Sequence, residues 1–368
     1  KVIIGINYHR VGVKLNDPFS GLHTVSFGLF KFQIFILSFF FKIVSLDDIR
    51  NGNIKSKINF FISFDDVPTI STQAFNWLNK KKLPFVICPN IKFIEEGSSI
   101  SDKFRFTNQK ITKEDIENKL KKFLNEKQFL ILKKGGLKKL YKSYTIDQRE
   151  FEKLFHENIF KDLKNEFSKY LVNSNYLNWK DIKTISKQNF IASHGNNHYD
   201  FFFLNYKEIV DELKVSKRIF EEKLKSKINT FAVPYGGYYQ HMGIIMSEAA
   251  KQEGYDQILW TGTQGVIYNN NNNQIQHLFR INISNNFITF LKSILIALKN
   301  TKLLFKEDYN LARIYEQKNN DFKIVKNPLI SKISAFENIV RPYRKYSSDN
   351  NFIKSVYEKN PFREELPY

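Results

Sequence analysis

The chain has 368 residues, 42% of them apolar, and carries 57 Lys and Arg against 37 Asp and Glu for a net charge of +20. That size and apolar content exclude a disordered chain and suffice for one large α/β domain with additions or two modest domains. The charge alone raises nucleic acid or an anionic surface as a partner. The excess, however, is Lys scattered among Asn, Ile, Phe and Tyr, with no basic block interleaved with aromatics, so no specific nucleic acid is expected. Cys88 is the single cysteine, which excludes an intrachain disulfide, and its apolar surroundings mark it as a small core residue.

In chain order, residues 2–8 form the first strand candidate. Residues 27–43 are the most lipid-like stretch, but Lys31, Gln33 and Lys42 interrupt it, so no transmembrane segment is expected. An amphipathic helix packed on a sheet is the expectation, with weak membrane-surface contact at Phe39, Phe40 and Phe41 as a secondary one. Further strands are predicted at 42–45, 59–64, 84–88, 190–193, 230–233, 258–261 and 278–283, and helices at 69–80, 179–188, 206–224 and 241–252. Strand and helix alternating about eight times predict a parallel sheet closed, or nearly closed, into a (β/α) barrel over residues 1–300. Residues 95–178 break the rhythm with Lys-rich helical patterns and read as a helical insertion. Asn269 to Asn273 is a polar loop, and 301–368 is a C-terminal extension of unknown role.

The chemistry-bearing residues fall at strand ends. Asp65 and Asp66 close the apolar run 59–64, and His194 and His198 follow the run 190–193. One carboxylate and two imidazoles make a three-ligand site with open positions, suited to Zn(II) and also to Fe, Mn, Co or Ni. The second carboxylate is left to act as a base. Gly195, Asn196 and Asn197 between the histidines favour a tight loop over a helix.

These residues resemble the motifs of the polysaccharide deacetylase family, the NodB-homology or carbohydrate esterase 4 group. Ser63-Phe64-Asp65-Asp66-Val67 is similar to the first motif, TFDDG, and His194-Gly195-Asn196-Asn197-His198 to the second, HSxxH or HTxxH. Phe231-Ala232-Val233-Pro234-Tyr235-Gly236 resembles the FAYPYG form of the third, RxPY. The resemblance covers roughly residues 1–290. It implies a distorted (β/α) barrel of the NodB-homology type that removes acetyl groups from an N-acetylated sugar in a polysaccharide or glycan precursor. It also implies that Asp66, His194 and His198 hold a divalent metal, Zn(II) first, while Asp65 is the general base. The family's acid is a histidine near the end of the domain, but His277 precedes its strand. Instead Tyr8-His9-Arg10-Val11 resembles the YHxV opening of the circularly permuted branch, which makes His9 the candidate acid. Pro234, Tyr235 and Gly236 would line the substrate site. Trp260, at a strand end, is a candidate for stacking on a sugar, with a core position as the equal alternative.

Three departures stand out: Val67 for Gly, Gly195 for Ser or Thr, and Ala232 for Arg. They hold open a second reading, a catalytically impaired carbohydrate-binding member of the same fold. The missing arginine would orient the base, and Arg10 or Arg280 is expected to replace it. The expected location is cytoplasmic or membrane-peripheral; oligomeric state, the sugar and its linkage are left open.

Overall fold

Runs rich in Ile, Val and Phe form seven parallel strands: β1 (Val2–Tyr8), β2 (Ile58–Asp65), β3 (Val86–Cys88), β4 (Phe190–Ile191), β5 (Thr230–Gly237), β6 (Gln257–Thr261) and β7 (Gln276–Asn282). The computed structural model describes residues 1–12, 24–143, 145–171, 175–237, 240–267, 275–304, 315–318 and 321–324. The asparagine run and nearly all of the 301–368 extension lie outside these residues. Within the extension, Tyr315–Lys318 and Asp321–Ile324 pair as an antiparallel ladder.

Each strand pairs with its sequence neighbour, and β7 returns to β1 through Gly5 and Arg280, Ile6 and Ile281, and Asn7 and Asn282. Between β4 and β5 a single parallel bridge, Ser193 to Phe231, spans the remaining gap. Ser193 N donates to Thr230 O at 3.0 Å and Ala232 N to Ser193 O at 2.8 Å. The result is a nearly closed (β/α) barrel of seven strands rather than eight. The eighth predicted strand forms only as Lys42–Ile43, which pairs with Asn59 and Phe60 outside the ring, where β3 does not reach.

The connecting helices that matter below are α1 (Phe27–Phe40), α2 (Ile91–Glu96), α3 (Tyr206–Leu224), α4 (Gln240–Gln252) and α5 (Phe287–Leu304). Strand alternation decides what faces the barrel axis. Ile3, Phe61, Val86, Ala192, Ala232, Leu259 and Leu278 fill the interior, one from each strand or the residue just after it. Two residues further along β1, β2 and β7, the same faces carry Gly5, Ser63 and Arg280, and then Asn7 and Asp65. The interior therefore turns from apolar to polar toward the strand C-termini, the end where barrel enzymes hold their chemistry.

Residues 100–170, with 201–206, belong to a second compact unit. Its helices include Ile100–Lys110, Glu126–Tyr141 and Gln148–Asn158. They bury an aromatic core in which Phe104 meets Phe155 edge-on at 4.8 Å and Tyr141 donates to Glu152 Oε1 at 2.8 Å.

Candidate active site at the strand C-termini

Asp65, the last residue of β2, is 3% exposed and points inward. Arg280 grips it from β7, Nη1 to Oδ1 at 2.5 Å and Nη2 to Oδ2 at 3.1 Å, and Asn7 Nδ2 adds a bond to Oδ2 at 2.8 Å. Asn7 Oδ1 in turn accepts from Arg280 Nη1 at 3.1 Å and from Ser63 Oγ at 2.8 Å. Burial alone would raise the Asp65 carboxyl, but the guanidinium overrides it and holds the group well below the usual carboxylate range. Arg280 fits here because Gly5 lies beside it: a Cβ on Gly5 would stand 2.5 Å from Arg280 Cγ and 2.8 Å from the Phe279 carbonyl. Of the two expected arginines, Arg280 takes the contact with Asp65.

Asp66 leaves the strand with φ +61° and turns toward the histidines. Its Oδ1 lies 3.2 Å from His198 Nε2 and 3.5 Å from His194 Nε2. Asp66, His194 and His198 each bring one ligand atom within 4.8 Å of the others, the one such group among the described residues. His194 Nδ1 sits 2.9 Å from the Ala232 carbonyl. A carbonyl only accepts, so Nδ1 carries the proton and Nε2 presents a bare lone pair. Asp66 Oδ1 is buried and accepts no well-formed hydrogen bond. The bare His194 Nε2 and Asp66 Oδ1 are acceptors facing one another with His198 Nε2 beside them, and this carboxylate and imidazole set suits a divalent cation. Burial drives His194 down to about 4, which keeps it neutral as a ligand must be. For Asp66 burial opposes ionisation, yet the neighbouring His198 and His194 hold the carboxyl down to about 2.

The loop carrying the histidines is clamped from both sides. Asn90, the N-cap of α2, donates Nδ2 to the carbonyls of His194 at 2.8 Å and Gly195 at 2.9 Å. From α3, Glu212 Oε2 accepts from the amides of Asn196 at 2.8 Å and Asn197 at 3.1 Å. Gly195 has φ +78°, and a Cβ there would come within 3.2 Å of Glu212 Oε2. The Glu212 clamp thus holds the loop at the position where the resembled motif carries a hydroxyl side chain. Asn7, Asn90 and Glu212 escaped the sequence reading.

Backbone strain gathers at the site. Of six non-glycine residues with positive φ among those described, Asp66, Val67, His198 and Tyr235 lie here. Asp and His tolerate this region, whereas buried Val67 at φ +54° costs about 1–3 kcal/mol. The same φ explains why the family motif favours Gly at that position. Between Ala232 and Gly237, β5 holds three residues more than β6 does between Leu259 and Thr261. Tyr235 and Gly236, both at φ +60°, form that bulge. Any Cβ on Gly236 would collide with Thr261. The bulge brings the Tyr235 ring to 5.1 Å from His198, with Phe93 against the imidazole at 4.7 Å. Pro234 abuts the Gly195 turn. His9 follows β1, half-buried, within electrostatic reach of both Asp65 and Asp66.

Trp260 does not reach the site. Strand alternation turns it away from the interior that Leu259 lines; it is fully buried and donates Nε1 to His277 Nδ1 at 2.8 Å. The core alternative describes it. His277 Nε2 meets Ser247 Oγ at 2.7 Å, so both its nitrogens are engaged away from the site.

No curated protein matches this chain in sequence. Among solved structures, the Streptococcus pyogenes deacetylase PplD, determined in complex with acetate, superposes with a TM-score of 0.50 at 16% identity, covering 80% of this chain and 98% of that one. The de-N-acetylase from Aggregatibacter actinomycetemcomitans (TM-score 0.48, 14% identity, 80% and 100% covered) and IcaB from Ammonifex degensii (0.48, 14%, 80% and 97%) are also similar. The first of these likenesses describes the fold. Residues 152–258, which span both histidines and the Phe231 to Gly236 turn, match the family described as polysaccharide deacetylase. That match, the NodB-type barrel and the motifs at its strand ends together make the chain similar to the polysaccharide deacetylase family.

Proposed function

We propose that this protein hydrolyses the N-acetyl group of a sugar in a polysaccharide or glycan precursor, releasing acetate and a free amine. The observation that carries the reading is the pairing of an ionised Asp65, oriented by Arg280 and Asn7, with the adjacent cluster of Asp66, His194 and His198. That cluster would hold a divalent cation, Zn(II) first and Fe, Mn, Co or Ni as alternatives. When bound, the cation acidifies water and polarises the acetyl carbonyl.

Asp65, kept ionised by Arg280, accepts the proton of the attacking water as its oxygen bonds to the carbonyl carbon. Arg280 and Asn7 fix the carboxylate's orientation and leave it no rotamer freedom to lose. As the C–N bond breaks, His9, on the neighbouring strand end, donates a proton to the leaving nitrogen. The role of His9 follows the permuted-branch resemblance together with its electrostatic reach to both aspartates. Pro234, Tyr235 and Gly236 line the acyl side, where a backbone N–H near Tyr235 would support the carbonyl oxygen. Two of the three departures that favoured an impaired, carbohydrate-binding member have local substitutes: Glu212 clamps the Gly195 loop, and Arg280 serves where Ala232 has no guanidinium.

The test is an acetate-release assay on N-acetylated oligosaccharides joined to metal analysis. Wild type should release acetate with about one cation bound. Asp65→Asn should retain the cation and lose about 10²- to 10⁴-fold in turnover, and His194→Ala should lose the cation itself. Undiminished activity in Asp65→Asn would refute the mechanism, and wild type that binds oligosaccharide without releasing acetate would favour the binding-only alternative.

A further inference from the structure

We propose that the outer faces of α1 and α5 together form a docking surface for an anionic phospholipid bilayer. Both helices belong to the barrel unit and are neighbours because β1 and β7 are. They begin side by side, Ser26 N donating to Asn285 Oδ1 at 2.9 Å, and the rings of Phe32 and Phe287 meet at 4.9 Å. Each spends one face on the barrel: Phe30, Ile34 and Leu37 from α1, and Phe290, Ile294 and Ala297 from α5, are buried. The opposite faces should then be polar. They are not: Phe32, Phe35 and Phe39 run at helical spacing along α1, and Ile288, Leu291 and Leu295 along α5, all exposed. Phe39 is 71% and Leu295 66% exposed, and eight of the ten exposed large apolar side chains among the described residues lie on these two helices. Patches of this kind mark interaction surfaces.

Charge selects the occupant. Neither helix contains an Asp or Glu, and none occurs from Pro18 to Leu46 or from Gln257 to Lys306. Lys42, Lys292 and Lys299 are exposed at or within the apolar area, and Lys31 lies over the Phe27 ring. Aromatic and aliphatic side chains flanked by lysines and free of acids complement a headgroup layer of phosphates over acyl chains. No helix among the described residues is long and apolar enough to cross a membrane, so the contact is interfacial. A protein partner would be expected to meet matching acidic or hydrogen-bonding groups here, and the faces offer few.

The experiment is co-sedimentation of the full chain with vesicles of phosphatidylglycerol and phosphatidylcholine, with pure phosphatidylcholine as the comparison and salt as a variable. The protein should pellet with the anionic vesicles and much less with the neutral ones. Phe35→Ser with Phe39→Ser should lower partition at least about tenfold, and Lys292→Gln with Lys299→Gln about fivefold for each lysine removed. Leu295→Ser on the second helix repeats the test at a site whose loss of fold would be independent, and circular dichroism checks each variant. Failure of folded wild type to pellet with anionic vesicles overturns the proposal, as does equal partition of folded variants. Concentration-dependent dimerisation abolished by the same substitutions, without vesicle binding, would overturn it in favour of a contact between copies.

Discussion

Asp65 and Asp66 are consecutive, equally acidic in free solution, and placed in opposite surroundings. Asp65 follows the strand alternation inward and meets donors only: a guanidinium and an amide N–H. Asp66 breaks the alternation with its left-handed backbone and meets imidazole nitrogens, at least one of them an acceptor. One carboxylate is held by three protein donor contacts, and the other faces a group of the ligand type. The difference suits the two residues to the separate roles proposed for them, base and ligand: the backbone turn, not the residue type, sets their surroundings apart.

The strongest test of that division removes the donor side. Arg280→Met should cost about 3–5 kcal/mol, because it strands an ionised carboxylate in the interior. Urea denaturation would read the loss, and Asp65→Leu added to it should recover much of the stability while turnover stays absent. Recovery would sharpen the contrast; an Arg280→Met protein of unchanged stability would break it. Gly5→Ala attacks the same pair indirectly. Its Cβ would press on Arg280 Cγ and the Phe279 carbonyl, and overpacking of this kind costs about 1–3 kcal/mol. Turnover should fall with Asp65 misplaced, while cation affinity, which depends on the other side, should hold.

The acceptor side has its own lever in Glu212. Glu212→Ala removes the clamp on the amides of Asn196 and Asn197, and cation affinity by calorimetry should weaken about 10- to 100-fold, as supports behind metal ligands typically do. If instead cation affinity were untouched, the histidine loop would not need its clamp, and Gly195 would be a true loss relative to the family motif.

Much of this was legible in the sequence because the motifs are short and local. Asp65-Asp66 and the His194, His198 pair were readable as strand ends, and the alternation of apolar runs carried the barrel. What was not legible depended on contacts across the ring. Arg280 was only one of two arginine candidates, though its parity with Leu278 and the glycine in mid-β1 are signals of an inward side chain with room beside it. Asn90 and Glu212 lie in a helix cap and a helix face, positions whose ordinary roles hide a second one. For Trp260 the sugar-stacking and core readings stayed equal for want of the same parity argument: Leu259 faces in, so Trp260 faces out and the core reading describes it. The count of eight strands failed because Lys42–Ile43 is too short to hold a place in the ring.

The smallest predicted effect concerns His277, which repeats the contrast between completed and open groups on a second imidazole. Trp260 Nε1 can only donate, so His277 Nδ1 accepts and Nε2–H donates to Ser247, whose hydroxyl passes on to the Gly243 carbonyl at 2.8 Å. A second ring proton would confront the indole N–H, and burial drives the group down to about 4. The unfolded imidazole binds its proton near 6.5, so between those values the unfolded chain takes up a proton that the folded chain refuses. Stability should therefore fall as pH is lowered through that window, with a contribution from His277 of at most about 1.4 kcal/mol per pH unit. His277→Asn should flatten the slope in cation-free protein, measured as thermal midpoint against pH, and leave the comparable share from His194 in place. A slope unchanged by the substitution would mean that the Trp260 contact does not hold the ring neutral.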